Sequence, residues 1–215
     1  MKFHEMYREG RVLIARGAEA YVYKVTFGGC KAVMKIRLSK TYRHTKIDLN
    51  IREQRTRNES LNMIKAMKAG VNVPTLYYVN LKEFSLIMEY IEGIQLTKVI
   101  SKENLRKAGK ILAELHENNI AHWDYTTSNI LVNNNELYVI DFGLSIYTKS
   151  IMDKAIDVHL MSRSLRALTK RADQLIESFW KGYSEASSNP REIKEMVKRI
   201  ESMGRYVKTR RKTVW

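Results

Sequence analysis

His122-Trp123-Asp124-Tyr125-Thr126-Thr127-Ser128-Asn129, followed twelve residues later by Asp141-Phe142-Gly143, decides how this chain is read. Phosphoryl transfer needs these side-chain types. One carboxylate stands beside the acceptor oxygen to orient it and take its proton, while an amide oxygen and a second carboxylate hold magnesium on the phosphates. Between the two stretches, residues 130–132 and 137–140 read as short strands around Asn133-Asn134-Asn135, a turn-forming triplet. Such a hairpin returns the chain on itself and brings Asn129 and Asp141 to one end of a cleft. Asp124 alone would be an ordinary loop aspartate; the spacing gives it meaning.

An H-x-D-x-x-x-x-N element followed by D-F-G marks the protein-kinase-like fold, which also requires an upstream lysine on a strand to pair with phosphates. Lys35, in Val33-Met34-Lys35-Ile36, meets that requirement. It lies on the second strand of a hairpin, residues 21–27 and 30–36, joined by Gly28-Gly29. A helix is predicted over 52–69, with Gly70 as its left-handed cap and Pro74 beyond. Its acids Glu53 and Glu59 are the candidate partners of Lys35, and Glu59, at the start of the apolar-striped half, is preferred. Kinases carry G-x-G-x-x-G over the phosphates; here Arg16-Gly17-Ala18-Glu19-Ala20 supplies one glycine.

Two short strands follow at 76–79 and 85–90, and after Gly93 the pattern turns helical. Leu105, Ala108, Ile111, Leu112 and Leu115 form one stripe at i, i+3, i+4 spacing. From Met152 onward the chain reads as helix. The last helix opens at Asn189-Pro190 with Glu192 in its first turn. Ile193, Met196, Val197, Ile200 and Met203 form its predicted apolar face, and Gly204 is expected to end it. The fold class expected is therefore α+β: a bilobal protein-kinase-like fold with a β-rich N-lobe over 1–91 and a reduced α-helical C-lobe over 92–204. A basic tail over 205–215 follows.

The chain has 215 residues, 44% of them hydrophobic and 28% charged, the balance of a globular protein. A single cysteine, Cys30, excludes an intramolecular disulfide and a Cys-rich zinc module. No secretory signal and no membrane-spanning apolar run is evident, so a cytoplasmic location without membrane attachment is expected. The net charge of +15 is unevenly placed: +2 over 1–30, +8 over 31–70, −1 over 71–190 and +6 over 191–215. Two basic segments around a nearly neutral body suggest a polyanion partner, with solvated helix faces as the plainer explanation.

A family is recognisable in the combination of motifs. Gly17-Ala18-Glu19-Ala20 is followed by Lys40-x-Tyr42-Arg43-His44, Asp48 and Arg55-x-Arg57-x-Glu59. Downstream come Thr126-Thr127-Ser128-Asn129, Asp141-Phe142-Gly143-Leu144-Ser145, Asp153-Lys154-Ala155-x-Asp157 and Arg210-Arg211-Lys212. Together they resemble the small atypical kinase/ATPase subunit of the KEOPS complex, in its archaeal single-protein form, over nearly the whole chain. That family supports threonylcarbamoyladenosine modification of tRNA. The resemblance implies ATP and Mg2+ as cofactors, and as partners tRNA, the threonylcarbamoyl-transferring subunit and the other KEOPS subunits.

It also implies roles. Lys35 and Glu59 would form the ion pair, Asp124 would be the catalytic aspartate, and Asn129 and Asp141 would hold the metal. Gly17, Ala18 and Glu19 would form the phosphate loop, with backbone groups of Glu89 and Ile91 meeting adenine. Arg205, Lys208, Arg210, Arg211 and Lys212 have no structural demand and are candidates for tRNA phosphates, with Tyr206 and Trp215 as candidate base-stacking partners.

Trp123 departs from the pattern, since ordinary kinases carry arginine there and this family more often glycine. Thr126 stands where serine/threonine kinases carry lysine. About a dozen residues separate Asp141 from the Asp153-Lys154-Ala155 helix and no A-P-E element follows, leaving little platform for a peptide. ATP hydrolysis or self-phosphorylation is favoured over signalling. The alternatives are a stand-alone RIO-like serine/threonine protein kinase and a module that binds nucleotide without turnover.

Overall fold

A computed structural model describes residues 10–212, with side chains as far as Met203. Strands β1 (Val12–Arg16), β2 (Ala20–Phe27) and β3 (Cys30–Arg37) lead into helix α1 (Thr45–Lys68), followed by β4 (Leu76–Asn80) and β5 (Ser85–Glu89). These strands form one antiparallel sheet in the order β1-β2-β3-β5-β4. Alternation along β3 separates its two faces. Ala32 and Met34 join Val25 and Ile87 in a small core on one side. On the other, Val33 packs into the main core, and Lys35 and Arg37 turn toward α1.

Helix α1 begins seven residues before the predicted start. Ile47 and Leu49, both exposed, alternate with polar neighbours and give the entry segment no helical period. What fixes the entry is Asp48, a buried carboxylate that accepts from the Lys40 N–H at 3.2 Å and Arg52 Nε at 2.7 Å. Gly70 has φ +82°, as its capping role requires.

The C-lobe continues with β6 (Ile94–Gln95), α2 (Lys102–Glu117), β7 (Ile120–Ala121), β8 (Ile130–Asn133), β9 (Glu136–Val139) and β10 (Ile146–Tyr147). Helices α3 (Ile151–Leu168), α4 (Ala172–Ala186) and α5 (Pro190–Lys212) complete the described chain. The β8–β9 hairpin turns on Asn134 and Asn135, both left-handed. Ser101 caps α2, accepting from the Asn104 N–H. Leu105, Ala108, Leu112 and Leu115 of α2 are fully buried, whereas Ile111 is only half-buried at the edge of the stripe. One continuous core runs from Met63, Leu86 and Met88 of the N-lobe to Phe179, Ile193 and Val197 of the last helices.

Helix α5 corrects the predicted tail: it passes through Gly204 and reaches Lys212. Glycine inside a helix costs only about 1 kcal/mol relative to alanine, and the next residues contain no proline to enforce a stop. Ile193 and Val197 are buried as expected, but Met203 is 55% exposed. Arg205, Lys208, Arg210, Arg211 and Lys212 therefore lie on helical backbone; Trp215 falls outside the described residues. No described helix is long and apolar enough to cross a membrane.

Candidate active site

The sheet, α1 and the β8–β9 hairpin converge on a cavity of about 710 Å³ lined by Val22, Val33, Lys35, Glu59, Met88, Glu89, Ile91, Asn129, Leu131 and Asp141, among others. Lys35 Nζ lies 2.7 Å from Glu59 Oε1 and 2.6 Å from Asp141 Oδ1. Of the two candidate acids Glu59 is the one beside Lys35; Glu53 is half-exposed and pairs with Arg57 on its own helix. Burial works to lower the Lys35 ammonium, but the two carboxylates outweigh it and hold the group above its ordinary value. Burial likewise works to raise the Asp141 carboxyl, and Lys35 beside it brings the net shift downward. Both groups are therefore charged at neutral pH.

Asp141 is itself left-handed (φ 63°, ψ 67°) and accepts from the Gly143 N–H at 3.2 Å, opening a short 3-10 turn that buries Phe142. The Phe142 ring packs 4.8 Å from that of His122. A side chain at position 143 would place its Cβ 3.0 Å from both Arg37 Nη2 and Asp141 Oδ1, a tight fit that these side chains would have to relieve by a few tenths of an ångström.

Asp124 and Asn129 are in direct contact. Asn129 Nδ2 donates to Asp124 Oδ2 at 2.8 Å and to its carbonyl at 2.9 Å, leaving the amide oxygen available to a cation. Burial raises the Asp124 carboxyl above the ordinary aspartate value, partly offset by the Asn129 hydrogen bond. Beyond Asp124 a second cavity of about 430 Å³ is walled by hydroxyls: Thr97, Thr126, Thr127, Ser128 and Ser164. Ser128 and Asn129 line both cavities.

The segment before Asp124 is held by a residue to which sequence reasoning gave no role. Asp157, fully buried on α3, accepts the backbone N–H groups of His122 and Trp123, each at 2.6 Å, and lies 3.2 Å from His116 Nε2. His116 Nδ1 in turn meets the Tyr183 hydroxyl at 2.7 Å. Asp157 stands in the quoted Asp153-Lys154-Ala155-x-Asp157 run, and its place on a buried helix face was the available signal. Trp123 adopts φ 62°, a left-handed conformation that costs a bulky residue and suits glycine. Its side chain is partly exposed.

Gly17, Ala18 and Glu19 are not brought into the cavity lining; Ile14 and Ala15 of the same hairpin are. Gly17 closes a tight turn, its N–H donating to the Ala20 carbonyl at 2.9 Å. Lys40 Nζ donates to the Ala18 carbonyl, and Glu19 pairs with Arg55 and, at 3.4 Å, with Arg43. With one glycine and a carboxylate at its tip, the turn is anchored to the α1 side instead of lying open over the cleft. Glu89 and Ile91 do line the cavity, although the Glu89 N–H is committed to the Thr75 carbonyl at 2.8 Å.

The small-lobe basic segment is largely consumed inside the molecule. Lys31, Lys35, Arg37, Arg43, Arg52, Arg55 and Arg57 all form ion pairs, several of them with carboxylates from outside residues 31–70.

A β-sheet lobe on a helical lobe, with lysine, glutamate and one aspartate converging in the cleft and a second aspartate in the adjoining cavity, defines the protein-kinase-like fold class. Its structure is similar to the Rio2 kinase–ADP/Mg2+–phosphoaspartate complex of Chaetomium thermophilum: TM-score 0.63 at 14% identity, covering 94% of this chain and 71% of that one. Residues 20–171 match the RIO domain family. The chain is 37% identical over 210 residues to the KEOPS complex subunit Bud32 of Pyrococcus abyssi, covering 90% of this chain and 96% of that protein. The EKC/KEOPS complex subunit bud32 of Dictyostelium discoideum is 32% identical, with 90% and 82% covered. The chain belongs to the RIO-domain family and, within it, to that of the KEOPS subunit Bud32. It is also 36% identical to a probable bifunctional tRNA threonylcarbamoyladenosine biosynthesis protein of Methanosarcina mazei, covering 90% of this chain but only 35% of that protein. It thus spans about a third of the length of the bifunctional relatives it matches.

Proposed function

We propose that this chain is a magnesium-dependent ATPase with weak serine/threonine protein kinase activity, acting in the KEOPS complex, with its threonylcarbamoyl-transferring subunit, to support threonylcarbamoyladenosine modification of tRNA in the cytoplasm. The observation that carries the reading is the meeting of Lys35, Glu59 and Asp141 in one cavity, with Asp124 and Asn129 at its edge. The names of the relatives supply the biological setting.

Asp141 and Asn129 offer a magnesium ion one carboxylate and one amide oxygen. Among the described residues no group of three or more His, Cys, Asp or Glu side chains forms a cage. A sparse oxygen donor set suits Mg2+, which keeps waters and shares phosphate oxygens. Bound there, the ion would neutralise charge developing on the phosphates. Lys35 would then leave Asp141 for phosphate oxygens while Glu59 retains it on the strand. Val22, Val33, Met88 and Leu131 would sandwich adenine, with the Glu89 carbonyl and the Ile91 backbone at its edge. Asp124 orients the acceptor and takes its proton. The hydroxyl-walled cavity beside it suits water better than an extended peptide.

The proton-accepting role sets a pH dependence. Asp124 must be ionised to act, and burial raises its carboxyl above the ordinary 3.8. Turnover should therefore rise with pH along an acid limb whose midpoint lies above that value, in kcat/KM measured with folding checked by circular dichroism. A rate that stays flat down to pH 4 would contradict the assignment.

The decisive assay is ATP hydrolysis with and without tRNA and the threonylcarbamoyl-transferring partner, expected to be stimulated in the full mixture. Negligible turnover in every mixture, with efficient phosphorylation of an added protein, favours the stand-alone RIO-like kinase. For tRNA, we place the phosphate contacts on Arg205, Lys208, Arg210, Arg211 and Lys212, because seven of the eleven small-lobe cations are already in ion pairs. Neutralising these five to glutamine should weaken tRNA binding and flatten its salt dependence by about 0.7–0.9 in log–log slope for each phosphate no longer neutralised. ATP binding should be unchanged. An unaltered salt slope would remove α5 from the tRNA surface.

A further inference from the structure

Arg37 lies two residues beyond Lys35 on β3 and, by the strand's period of two, projects from the same face. It is 6% exposed, and its Nη2 pairs with Glu59 Oε2 while Lys35 takes Oε1. The carboxylate of Glu59, 1% exposed, is thus held by two cations from one strand. Arg37 Nη2 also donates to the Arg55 carbonyl at 3.4 Å, and a Cβ at position 143 would sit 3.0 Å from it. One guanidinium on β3 therefore binds α1 at two points and lies close to Gly143.

Resting on the ATPase reading, we propose that Arg37 is a positioning residue for phosphoryl transfer, a permanent clamp on Glu59 that keeps α1 docked while Lys35 exchanges between Asp141 and the nucleotide. Lys35 is shared: its ammonium stands within 2.7 Å of both Glu59 and Asp141, and it must also reach phosphate. If Lys35 alone joined Glu59 to β3, the pull of phosphate on its ammonium would fall on the one ion pair that docks α1. The second oxygen of Glu59 would also be a buried acceptor without a partner, which is costly. Arg37 removes both problems, because its fork satisfies that oxygen and stays when lysine moves. Docking of α1 is then built into the strand and needs no phosphorylated segment to enforce it, in keeping with the short stretch between Asp141 and α3.

The test is a double-mutant cycle. Arg37→Ala would leave the buried Glu59 Oε2 without a donor and threaten folding. The change is therefore Arg37→Gln, whose amide can still donate, made in the wild type and in Glu59→Gln, where the double variant leaves no carboxylate stranded. ATP hydrolysis is read as kcat and KM, and reactivity of Lys35 toward an amine-modifying reagent is read separately. Arg37→Gln should lower kcat by tenfold to about 10²-fold, the scale of an ångström-sized misplacement. KM should change much less, and Arg37→Lys should recover part of the loss. In Glu59→Gln the same change should cost no further activity and leave Lys35 reactivity unaltered.

Independent, multiplying losses would overturn the proposal, as would a wild-type kcat in Arg37→Gln. If Arg37→Gln does not fold, the comparison within Glu59→Gln still decides: a further tenfold fall there refutes the clamp. A wild-type protein that hydrolyses no ATP sinks the ATPase reading instead. The clamp is then judged on Lys35 reactivity, which Arg37→Gln must alter in the wild type but not in Glu59→Gln.

Discussion

Asp141→Ala should reduce ATP turnover by on the order of 10³-fold or more, the scale seen when a group that stabilises transition-state charge is removed, while leaving the protein folded. Two observations separate these effects. The Asp141 side chain is 47% exposed, so its ion pair with Lys35 is screened by solvent and contributes modestly to stability. The same carboxylate lines the cavity together with Asn129, with its pKa pulled down so that it is ionised at neutral pH.

The measurements are a magnesium titration of ATP hydrolysis and calorimetry of nucleotide binding with and without magnesium. Asp141→Ala should erase the magnesium dependence of binding. Asp124→Ala should lose about 10²–10⁴-fold in rate, the range for a general base, yet keep that dependence. If tRNA modification survives in Asp141→Ala while ATP binding is lost, the chain serves as a binding module and catalysis is not its contribution. Wild-type turnover in the variant would show that the metal sits elsewhere.

Gly182→Ala should destabilise the protein by about 3 kcal/mol or more, at or beyond the upper end of ordinary overpacking. Helices α2 and α4 cross at two glycines, so closely that a Cβ on Gly182 would lie 1.8 Å from the Arg106 carbonyl oxygen, and one on Gly109 2.0 Å from that of Phe179. Both obstacles are backbone, so no side-chain rotation relieves them and the helices must part. Separation would expose Leu105, Leu112 and Phe179, all fully buried. Intrinsic propensity argues the other way, since alanine is favoured over glycine by about 1 kcal/mol within a helix. The sign of the effect therefore tells which term governs: a lower urea midpoint means the crossing does, and a higher one means the helices can shift. The catalytic segment should feel the change, because Tyr183 of α4 hydrogen-bonds His116, which meets Asp157.

The sequence by itself determined the fold class and the chemical constellation. Asp124, Asn129 and Asp141 lie within eighteen residues, and the hairpin between them obeys local rules of turn and alternation. Lys35 and the choice of Glu59 over Glu53 followed once those motifs were placed. Local rules could not supply contacts between distant parts of the chain. Arg37 stands in no motif, and only the fold sets it on Glu59, 22 residues away; Asp157 acquired its role only beside backbone groups more than 30 residues away. The +8 of residues 31–70 suggested a polyanion surface, yet three carboxylates from other segments, Glu19, Glu92 and Asp141, pair with its cations. The first turns of α1 and the passage of α5 through Gly204 were likewise settled outside the local pattern, the former by the buried Asp48. Periodicity and motif spacing register what a residue does to its neighbours in sequence. Charge pairing, burial and close approach depend on neighbours in space, and those only the tertiary structure decided.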